Sequence, residues 1–151
     1  MVKDKNFLIA EAGINHNGSL KTALKLVDTA KKSGADAIKF QTYITEKRVN
    51  KKYHKIFEIL KKCELTFKNF KVISDYCKKK KIIFFSTPFD IESVNFLDSI
   101  NVNIFKIASF DICNTELINE VIKKRKKTII STGMASFSEI RKVYKKFKRH
   151  N

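Results

Sequence analysis

The sequence is poor in residues that break or cross-link a fold: it has one proline, four glycines and three cysteines among 151 residues. With so little proline and 43% hydrophobic residues, its composition is that of a folded domain, which excludes a disordered chain. No apolar run approaches the roughly 20 residues that cross a bilayer, so no membrane partner is expected. Residues 1–5 lead straight into an apolar run without a secretory pattern, and we expect a cytoplasmic protein.

Cysteines and histidines are scattered through the chain. Cys63, Cys77 and Cys113 form no CxxC pair, and we interpret all of them as reduced thiols in the core. The three histidines lie far apart in the sequence. No metal constellation is therefore predicted.

Charge is strongly biased: 32 basic against 15 acidic residues give a formal net charge of +17. Nucleic acid is the first partner that such a charge suggests. However, the lysine runs at residues 78–81, 123–127 and 145–148 fall on predicted helix faces and helix ends, where cations interact favourably with the helix dipole. No aromatic residues alternate with them as a stacking platform requires, so we predict a solvated basic surface and no nucleic-acid partner.

Hydrophobic patterning predicts a strand followed by a helix, repeated five times. The predicted strands are residues 7–12, 35–43, 82–86, 103–109 and 128–132. Ser19 and Asp90 are suited to begin helices, and Gly34 to end one. Such alternation implies a parallel α/β sheet with right-handed crossovers. Both a small doubly wound sheet and part of an eight-stranded barrel fit this pattern.

Four of the predicted strands end in polar residues. The runs are Ile-Lys-Phe-Gln-Thr at 38–42, Phe-Ser-Thr-Pro-Phe-Asp at 85–90, Phe-Lys-Ile-Ala-Ser-Phe-Asp at 105–111 and Ile-Ser-Thr-Gly-Met at 130–134. Catalytic groups at the carboxyl ends of successive strands are the layout of a (β/α)-barrel enzyme. This layout favours the barrel.

Lys39 and Lys106 lie within apolar strands, where a lysine is rarely buried without an anion. In one pocket they would repel each other unless a carboxylate or phosphate lay between them. We favour such an anion site, with the hydroxyls of Thr87 and Ser109 as further donors. Two separate structural ion pairs are the alternative.

Acidic and amide side chains follow the same strands. Glu11 closes the first strand, either as a structural hydrogen-bonding residue or as a ligand of a substrate hydroxyl. Gln41 shares one strand face with Lys39, because strand side chains alternate. Asp111 is an acid, a base, a sugar ligand or a cap for the following helix.

These runs, together with Ile-Ala-Glu at 9–11 and Asn-His-Asn-Gly at 15–18, resemble the N-acetylneuraminate (sialic acid) synthase family in order and spacing. That family includes the related legionaminate, pseudaminate and spore-coat polysaccharide synthases, and the resemblance covers nearly the whole chain. It implies a (β/α)8 TIM barrel, of which about five β-α units are present. It also implies an enzyme of surface carbohydrate biosynthesis that condenses phosphoenolpyruvate with an N-acyl hexosamine, such as N-acetylmannosamine, into a nine-carbon 2-keto acid.

The resemblance also assigns residues. Lys39, Thr87, Lys106 and Ser109 fall on the phosphoenolpyruvate-binding positions of the family.

Glu11 and Gln41 fall on positions that approach the amino sugar. Asp111 falls where many members carry glutamate, at the acidic position near the reacting centre. We expect Asp111 and Lys106 to be the catalytic residues of this chain.

The resemblance further implies a divalent cation, manganese or magnesium, as a Lewis acid for the sugar aldehyde. In the family, the histidine ligands of this cation lie on later strands, so they are expected outside this chain. The family's small antifreeze-like domain, which completes a partner's site in the homodimer, is expected outside it as well. Residues 1–151 are then the N-terminal part of the barrel, ending before a sixth strand. The chain is a truncated gene product, one half of a split gene with a complementing C-terminal segment, or an incomplete record.

Alone, this chain is expected to be inactive as a synthase. Two other hypotheses remain from the sequence. One is a non-catalytic half-barrel that binds an anion, and the other is a small complete doubly wound domain with an unrelated ligand.

Overall fold

The computed structural model describes residues 6–150, so the N-terminal segment used to predict a cytoplasmic location lies outside the described residues. The strands are β1 Ile9–Gly13, β2 Ala37–Thr42, β3 Ile83–Pro88, β4 Ile104–Ile107 and β5 Lys127–Ile130. The helices are α1 Leu20–Lys32, α2 Thr45–Arg48, α3 His54–Cys63, α4 Phe67–Lys80, α5 Ile91–Ser99, α6 Thr115–Lys123 and α7 Phe137–His150, with a 3-10 turn at Ser109–Asp111.

The strands form one parallel sheet in the order β1-β2-β3-β4-β5. Each strand therefore lies beside the strand that follows it in the chain, and right-handed crossovers place all the connecting helices on one face. A doubly wound sheet reverses its strand order and carries helices on both faces. The hypothesis of a small doubly wound domain is wrong for this reason.

One hydrophobic core lies between the sheet and the helices. Ile38 and Phe40 of β2 contribute to it, and the ring of Phe40 packs on Phe70 of α4. Neighbouring helices also pack on each other, α1 on α4, α5 on α6 and α6 on α7. The alternate residues point to the opposite face of the sheet, which the helices leave uncovered.

The uncovered face is concave and partly apolar. An open cleft of about 960 Å³ includes the exposed side chains of Phe7, Ile83 and Ile129. In a closed barrel such residues fill the interior against the remaining strands. β1 and β5 are the edges of the described sheet, and each has one strand neighbour.

The predicted helix ends are confirmed. The Ser19 hydroxyl accepts from the Thr22 N–H and Asp90 accepts from the Ser93 N–H, so both residues are N-caps. Gly34, at a φ of 82°, follows α1 in a left-handed conformation. Its N–H donates to Lys31, as in a Schellman motif.

Other expectations need correction. β3 continues to Pro88, which pairs with Thr42 of β2. The next residue, Phe89, donates its N–H to the Thr42 carbonyl, so the missing N–H of proline is not needed there. Helix α2 and the 3-10 turn are too short to show a hydrophobic period, and the sequence did not indicate them. Cys113 is not a core thiol: it is exposed, and its Sγ donates to Glu139 Oε1 at 3.1 Å.

His16 lies in the core and not on the concave face. It is buried against Phe40, and its Nδ1 accepts from the Gly18 N–H at 3.2 Å. A Cβ on Gly18 would come within 2.2 Å of the Lys62 carbonyl oxygen, so glycine is required for this loop to pack on α3. His16 Nε2 has no partner among the described residues.

None of the helices between residues 6 and 150 is both long enough and apolar enough to span a membrane.

We expect the 151-residue chain alone to be molten, poorly soluble or paired through its sheet edges into oligomers. The reason is that open edges recruit other strands and that the concave face has no covering layer. Co-expression with a polypeptide that supplies strands six to eight should give a soluble complex with a cooperative melt. Sedimentation and thermal unfolding measure this, and a sharp transition from a clean monomer would contradict it.

Acid is expected to destabilise the fold through His16. Burial lowers the pKa of His16 from 6.5 to about 4. Between these values the unfolded chain binds a proton that the folded chain does not, so stability is lost as the pH falls. The loss should reach roughly 3 kcal/mol near the lower value.

Denaturant unfolding of the complex with strands six to eight, from neutral pH to about pH 4, tests this effect. His16→Asn keeps an acceptor for the Gly18 N–H and should flatten the pH dependence. His54→Asn, which replaces an exposed histidine, should leave it unchanged. Equal slopes for all three proteins would rule out His16 as the source.

Candidate functional site

The polar residues predicted from the sequence gather at the carboxyl ends of the strands. Register places Glu11 of β1 beside Lys39 of β2, and Gln41 of β2 beside Thr87 of β3. Lys106 of β4 lies in register with Ile129 of β5. These side chains occupy the concave face, because they alternate with residues that pack under the helices.

Lys39 is held by side chains from both neighbouring strands. Only 7% of the residue is exposed. Its Nζ lies 3.0 Å from Glu11 Oε1 and donates to Thr87 Oγ1 at 3.1 Å. A carboxylate and a hydroxyl therefore replace the water that this ammonium loses in a nearly buried position.

Lys106 lacks such a carboxylate. Its Nζ donates to the Ile107 carbonyl oxygen and to Ser131 Oγ, both at 2.5 Å, and it forms no salt bridge within residues 6–150. Burial, and then the positive charge of Lys39, lower the pKa of Lys106, while Glu11 acts in the opposite direction. Within residues 6–150 the hydrogen-bond partners of Lys106 are uncharged, so the alternative of two separate ion pairs is not seen for Lys106 there.

Glu11 and Gln41 meet above Gly13. A Cβ at Gly13 would lie 3.2 Å from Glu11 Oε1 and 3.7 Å from Gln41 Nε2. Gly13 has a φ of 53° at a bulge between β1 and β2. The glycine thus leaves room for a carboxylate and an amide at the rim of the site.

Asp111 ends the 3-10 turn after β4 and is buried. Its Oδ2 has no hydrogen-bond partner among the described residues, and Asn114 donates to Oδ1 at 3.5 Å. Burial raises the pKa of Asp111, against the smaller opposing effects of Asn114 and Arg48. Asp111 is not the cap of α6, because Asn114 accepts from the Leu117 N–H there.

Ser109 begins the same 3-10 turn and is partly buried. Its hydroxyl makes no hydrogen bond to another described residue. It lies two residues before Asp111 and three after Lys106, so it is available at the end of β4 as a donor.

Several residues of this region were missed by sequence reasoning. Ser131 contacts Lys106, although only its place in the Ser-Thr-Gly-Met run marked it. Arg48, Tyr43, Phe89 and Phe110 form a cluster beside Gln41 and Asp111. Arg48 had no sequence signal, since it lies on the short helix α2 among other basic residues.

The described residues do not supply a metal centre. Within residues 6–150 no group of three or more His, Cys, Asp or Glu side chains could hold a metal ion. The site as described is instead a pair of ammonium groups with hydroxyl donors, an amide and two carboxylates. Such a set can bind an anion and hold a proton beside it.

Comparison with known proteins identifies the family. A sequence model of the NeuB family matches residues 26–151. The chain belongs to the NeuB family. The resemblance predicted from the ordered motifs is confirmed, and two of the relatives described next are a synthase and a synthetase by name.

The N,N'-diacetyllegionaminic acid synthase of Campylobacter jejuni is 40% identical over 149 residues, which cover 90% of this chain and 45% of the relative. The sialic acid synthetase of Leptospira borgpetersenii, solved in complex with citrate, has a TM-score of 0.92 at 42% identity, covering 95% of this chain and 50% of that one. SpsE of Bacillus subtilis, a spore coat polysaccharide biosynthesis protein, has a TM-score of 0.81 at 35% identity, covering 98% and 42%.

These NeuB relatives confirm the predicted fold class, an α/β array that is part of a TIM barrel. The chain spans less than half the length of the curated relatives that it matches.

Lys39 and Lys106 are expected to bind one anion together. We define the completed barrel as this chain joined to the part of the Leptospira synthetase that follows the matched region. In it, Lys39→Ala or Lys106→Ala should weaken phosphoenolpyruvate binding by about tenfold to a hundredfold, as expected when one charge-assisted hydrogen bond is lost. Calorimetric titration measures the affinity. Lys79→Ala and Lys124→Ala are the controls, and equal losses in all four variants would reject a shared site.

Proposed function

We propose that this chain is the phosphoenolpyruvate-binding part of a nonulosonic (sialic) acid synthase. The observation that carries the proposal is Lys106, a partly buried ammonium without a carboxylate partner among the described residues, which lies close enough to Lys39 for their charges to interact. Phosphoenolpyruvate bears a carboxylate and a phosphate, and its charge would offset this repulsion. The second substrate is an N-acyl hexosamine such as N-acetylmannosamine.

The proposed reaction is a condensation that consumes one water molecule and releases phosphate. The C2–C3 double bond of phosphoenolpyruvate supplies the electron pair that joins C3 to the aldehyde carbon of the open-chain sugar, and the aldehyde oxygen takes a proton. Water adds at C2, and its oxygen becomes the keto oxygen as the C2–O bond breaks and phosphate leaves. A divalent cation would polarise the aldehyde when bound, but no group of side chains within residues 6–150 fits it.

The residues of this chain are proposed to bind the two substrates and to transfer a proton. Lys39, Lys106, Thr87 and Ser109 would hold the carboxylate and phosphate and offset the charge of the departing phosphate. The raised pKa of Asp111 allows its carboxyl to keep a proton longer than an ordinary aspartate. Proton transfer with the sugar oxygen is its proposed role.

Glu11 and Gln41 are proposed to contact sugar hydroxyls. Both lie at the rim above Gly13, and the 61% exposed side chain of Glu11 can be reached from solvent.

The proposal treats residues 1–151 as the N-terminal part of the barrel. The rest of the barrel, the cation ligands and the C-terminal domain would come from a further segment, in a homodimer. Because phosphoenolpyruvate is a metabolite of the cytoplasm, we place the activity there. A non-catalytic anion-binding half-barrel is the second candidate, favoured by the open β1 and β5 edges.

In the presence of manganese and N-acetylmannosamine, the completed barrel is expected to release phosphate from phosphoenolpyruvate, whereas the 151-residue chain alone should release none. A colorimetric phosphate assay decides between the two candidates. A completed barrel that binds phosphoenolpyruvate but releases no phosphate with any N-acyl hexosamine would favour the non-catalytic one. Release by the isolated chain would show that the later strands are dispensable.

Asp111→Asn should lower turnover of the completed barrel by roughly a hundredfold or more, the usual contribution of a general acid or base. Its affinity for phosphoenolpyruvate should be largely kept, because the anion donors are untouched. Glu116→Gln, which changes an exposed carboxylate on α6, is the control. Steady-state rates with calorimetric affinities separate the two effects, and a normal rate in Asp111→Asn would exclude a catalytic role.

A further inference from the structure

Arg48 lies beside the rim of the site, and aromatic rings fix the plane of its guanidinium. The guanidinium carbon lies over the ring of Phe89, 3.7 Å from the centroid, and over the ring of Tyr43 at 4.6 Å. The side chain is partly buried. Stacking on aromatic faces leaves the N–H edge of a guanidinium free to donate in one defined direction.

The short helix that carries Arg48 is held in place by other parts of the chain. Helix α2 has four residues and no side-chain cap of its own, and a helix of this length is not stable in isolation. The Ile44 N–H donates to Asp90 Oδ2 at 2.8 Å, and the Thr45 N–H donates to Glu64 Oε2 at 2.9 Å. The carboxylates of Asp90 and Glu64 therefore fix the start of the helix, and with it the position of Arg48.

Arg48 determines which way the side-chain amide of Gln41 faces. Arg48 Nη1 donates to Gln41 Oε1 at 3.2 Å. A guanidinium has only donors, so the amide oxygen must face Arg48 and the amide NH₂ must face away from it. On that side Gln41 Nε2 lies 3.7 Å from the point that a Cβ on Gly13 would occupy, and Glu11 Oε1 lies 3.2 Å from the same point. No protein group between residues 6 and 150 accepts a hydrogen bond from Nε2.

The rim above Gly13 thus presents a donor, Gln41 Nε2, beside an acceptor, the Glu11 carboxylate. A hydroxyl donates one hydrogen bond and accepts others, so a sugar hydroxyl can satisfy both groups at once. With the amide of Gln41 reversed, the rim would present two acceptors to the single hydrogen of a hydroxyl. The direction of this amide therefore decides whether the rim matches a sugar.

We propose that Arg48 is a positioning residue, which holds the amide of Gln41 so that Nε2 donates to a sugar hydroxyl beside Glu11. Arg48 acts through Gln41 in this proposal and does not itself bind the sugar. The inference rests on the proposed function, in which Gln41 contacts the acceptor sugar. It adds the direction of that hydrogen bond and the residue that sets it.

Asp111 offers a second route by which Arg48 could act. The positive charge of Arg48 opposes the rise in the pKa of Asp111 that burial causes. Loss of Arg48 would then change proton transfer as well as sugar binding, so a rate alone cannot separate the two routes. The affinity for the sugar, measured with and without Gln41, can separate them.

The test is a double-mutant cycle in the completed barrel, with phosphoenolpyruvate present and N-acetylmannosamine titrated by saturation-transfer NMR. Gln41→Ala should weaken sugar binding by about tenfold, the loss of one hydrogen bond. Arg48→Met should weaken it by about fivefold, because the freed amide must then be ordered on binding. In the Gln41→Ala background, Arg48→Met should weaken it by less than about twofold, since no amide is left to orient.

Lys47→Met, which removes an exposed cation of the same helix, is the matched control and should leave the affinity unchanged. Gln41→Glu retains an acceptor for Arg48 but has no amide donor, so it should also weaken sugar binding by about tenfold. This variant keeps Arg48 and tests the donor even if Arg48→Met does not fold. The affinity for phosphoenolpyruvate should be unchanged in all of these variants.

Losses that multiply in the double variant would overturn the proposal, because Arg48 would then act independently of Gln41. Undiminished sugar binding in Gln41→Glu would overturn it as well. Coupled losses without phosphate release would leave this inference standing while the condensation fails, and phosphate release with independent losses would do the reverse. A completed barrel that binds phosphoenolpyruvate but not N-acetylmannosamine would refute both.

Discussion

The site depends on two lysine side chains that neighbouring elements place on the same face of a parallel sheet. Lys39 is nearly buried, and β1 and β3 place its partners Glu11 and Thr87 on either side of it. Lys106, from the strand beyond β3, adds a second positive charge, and its partners are a carbonyl and a hydroxyl. Glu11 compensates the charge of Lys39, so the charge of Lys106 is left for an anionic ligand to neutralise.

Strand order determines where this charge is located. Since consecutive strands are neighbours and the helices cover one face, alternation sends Phe40 and Ile107 into the core and Lys39 and Lys106 to the other face. The same order leaves β1 and β5 as open edges. The geometry that assembles the pocket is therefore also the reason that we expect the described sheet to need further strands beside it.

Much of the fold could be predicted, because its signals are local. Helix ends depend on contacts within a few residues, as at the N-caps Ser19 and Asp90 and at the left-handed Gly34. The periods of strands and helices are visible in the spacing of hydrophobic residues. What the sequence did not indicate depends on tertiary contacts. Helix α2 has four residues and no side-chain cap, and its Arg48 is held by the ring of Phe89, 41 positions away in the sequence.

For the site too, the sequence indicated some residues and not the contacts between them. The motifs marked the lysines and Asp111, because each is an unusual residue at a strand end. They did not show that Lys106 bonds to Ser131, 25 residues later, or that Asn114 takes the cap once considered for Asp111. An unusual residue type at a strand end marks a candidate site residue in the sequence. The residues that it contacts depend on strand register and loop packing, which the sequence does not show.

The central claim is that Lys39 and Lys106 share one anion, and a crystal structure of the completed barrel with phosphoenolpyruvate tests it most directly. We expect the ligand at the carboxyl ends of β2 to β4, with its phosphate and carboxylate within hydrogen-bond distance of both Nζ atoms. A ligand bound by one lysine alone, with the other still held by protein groups, or a ligand bound elsewhere, would contradict the account.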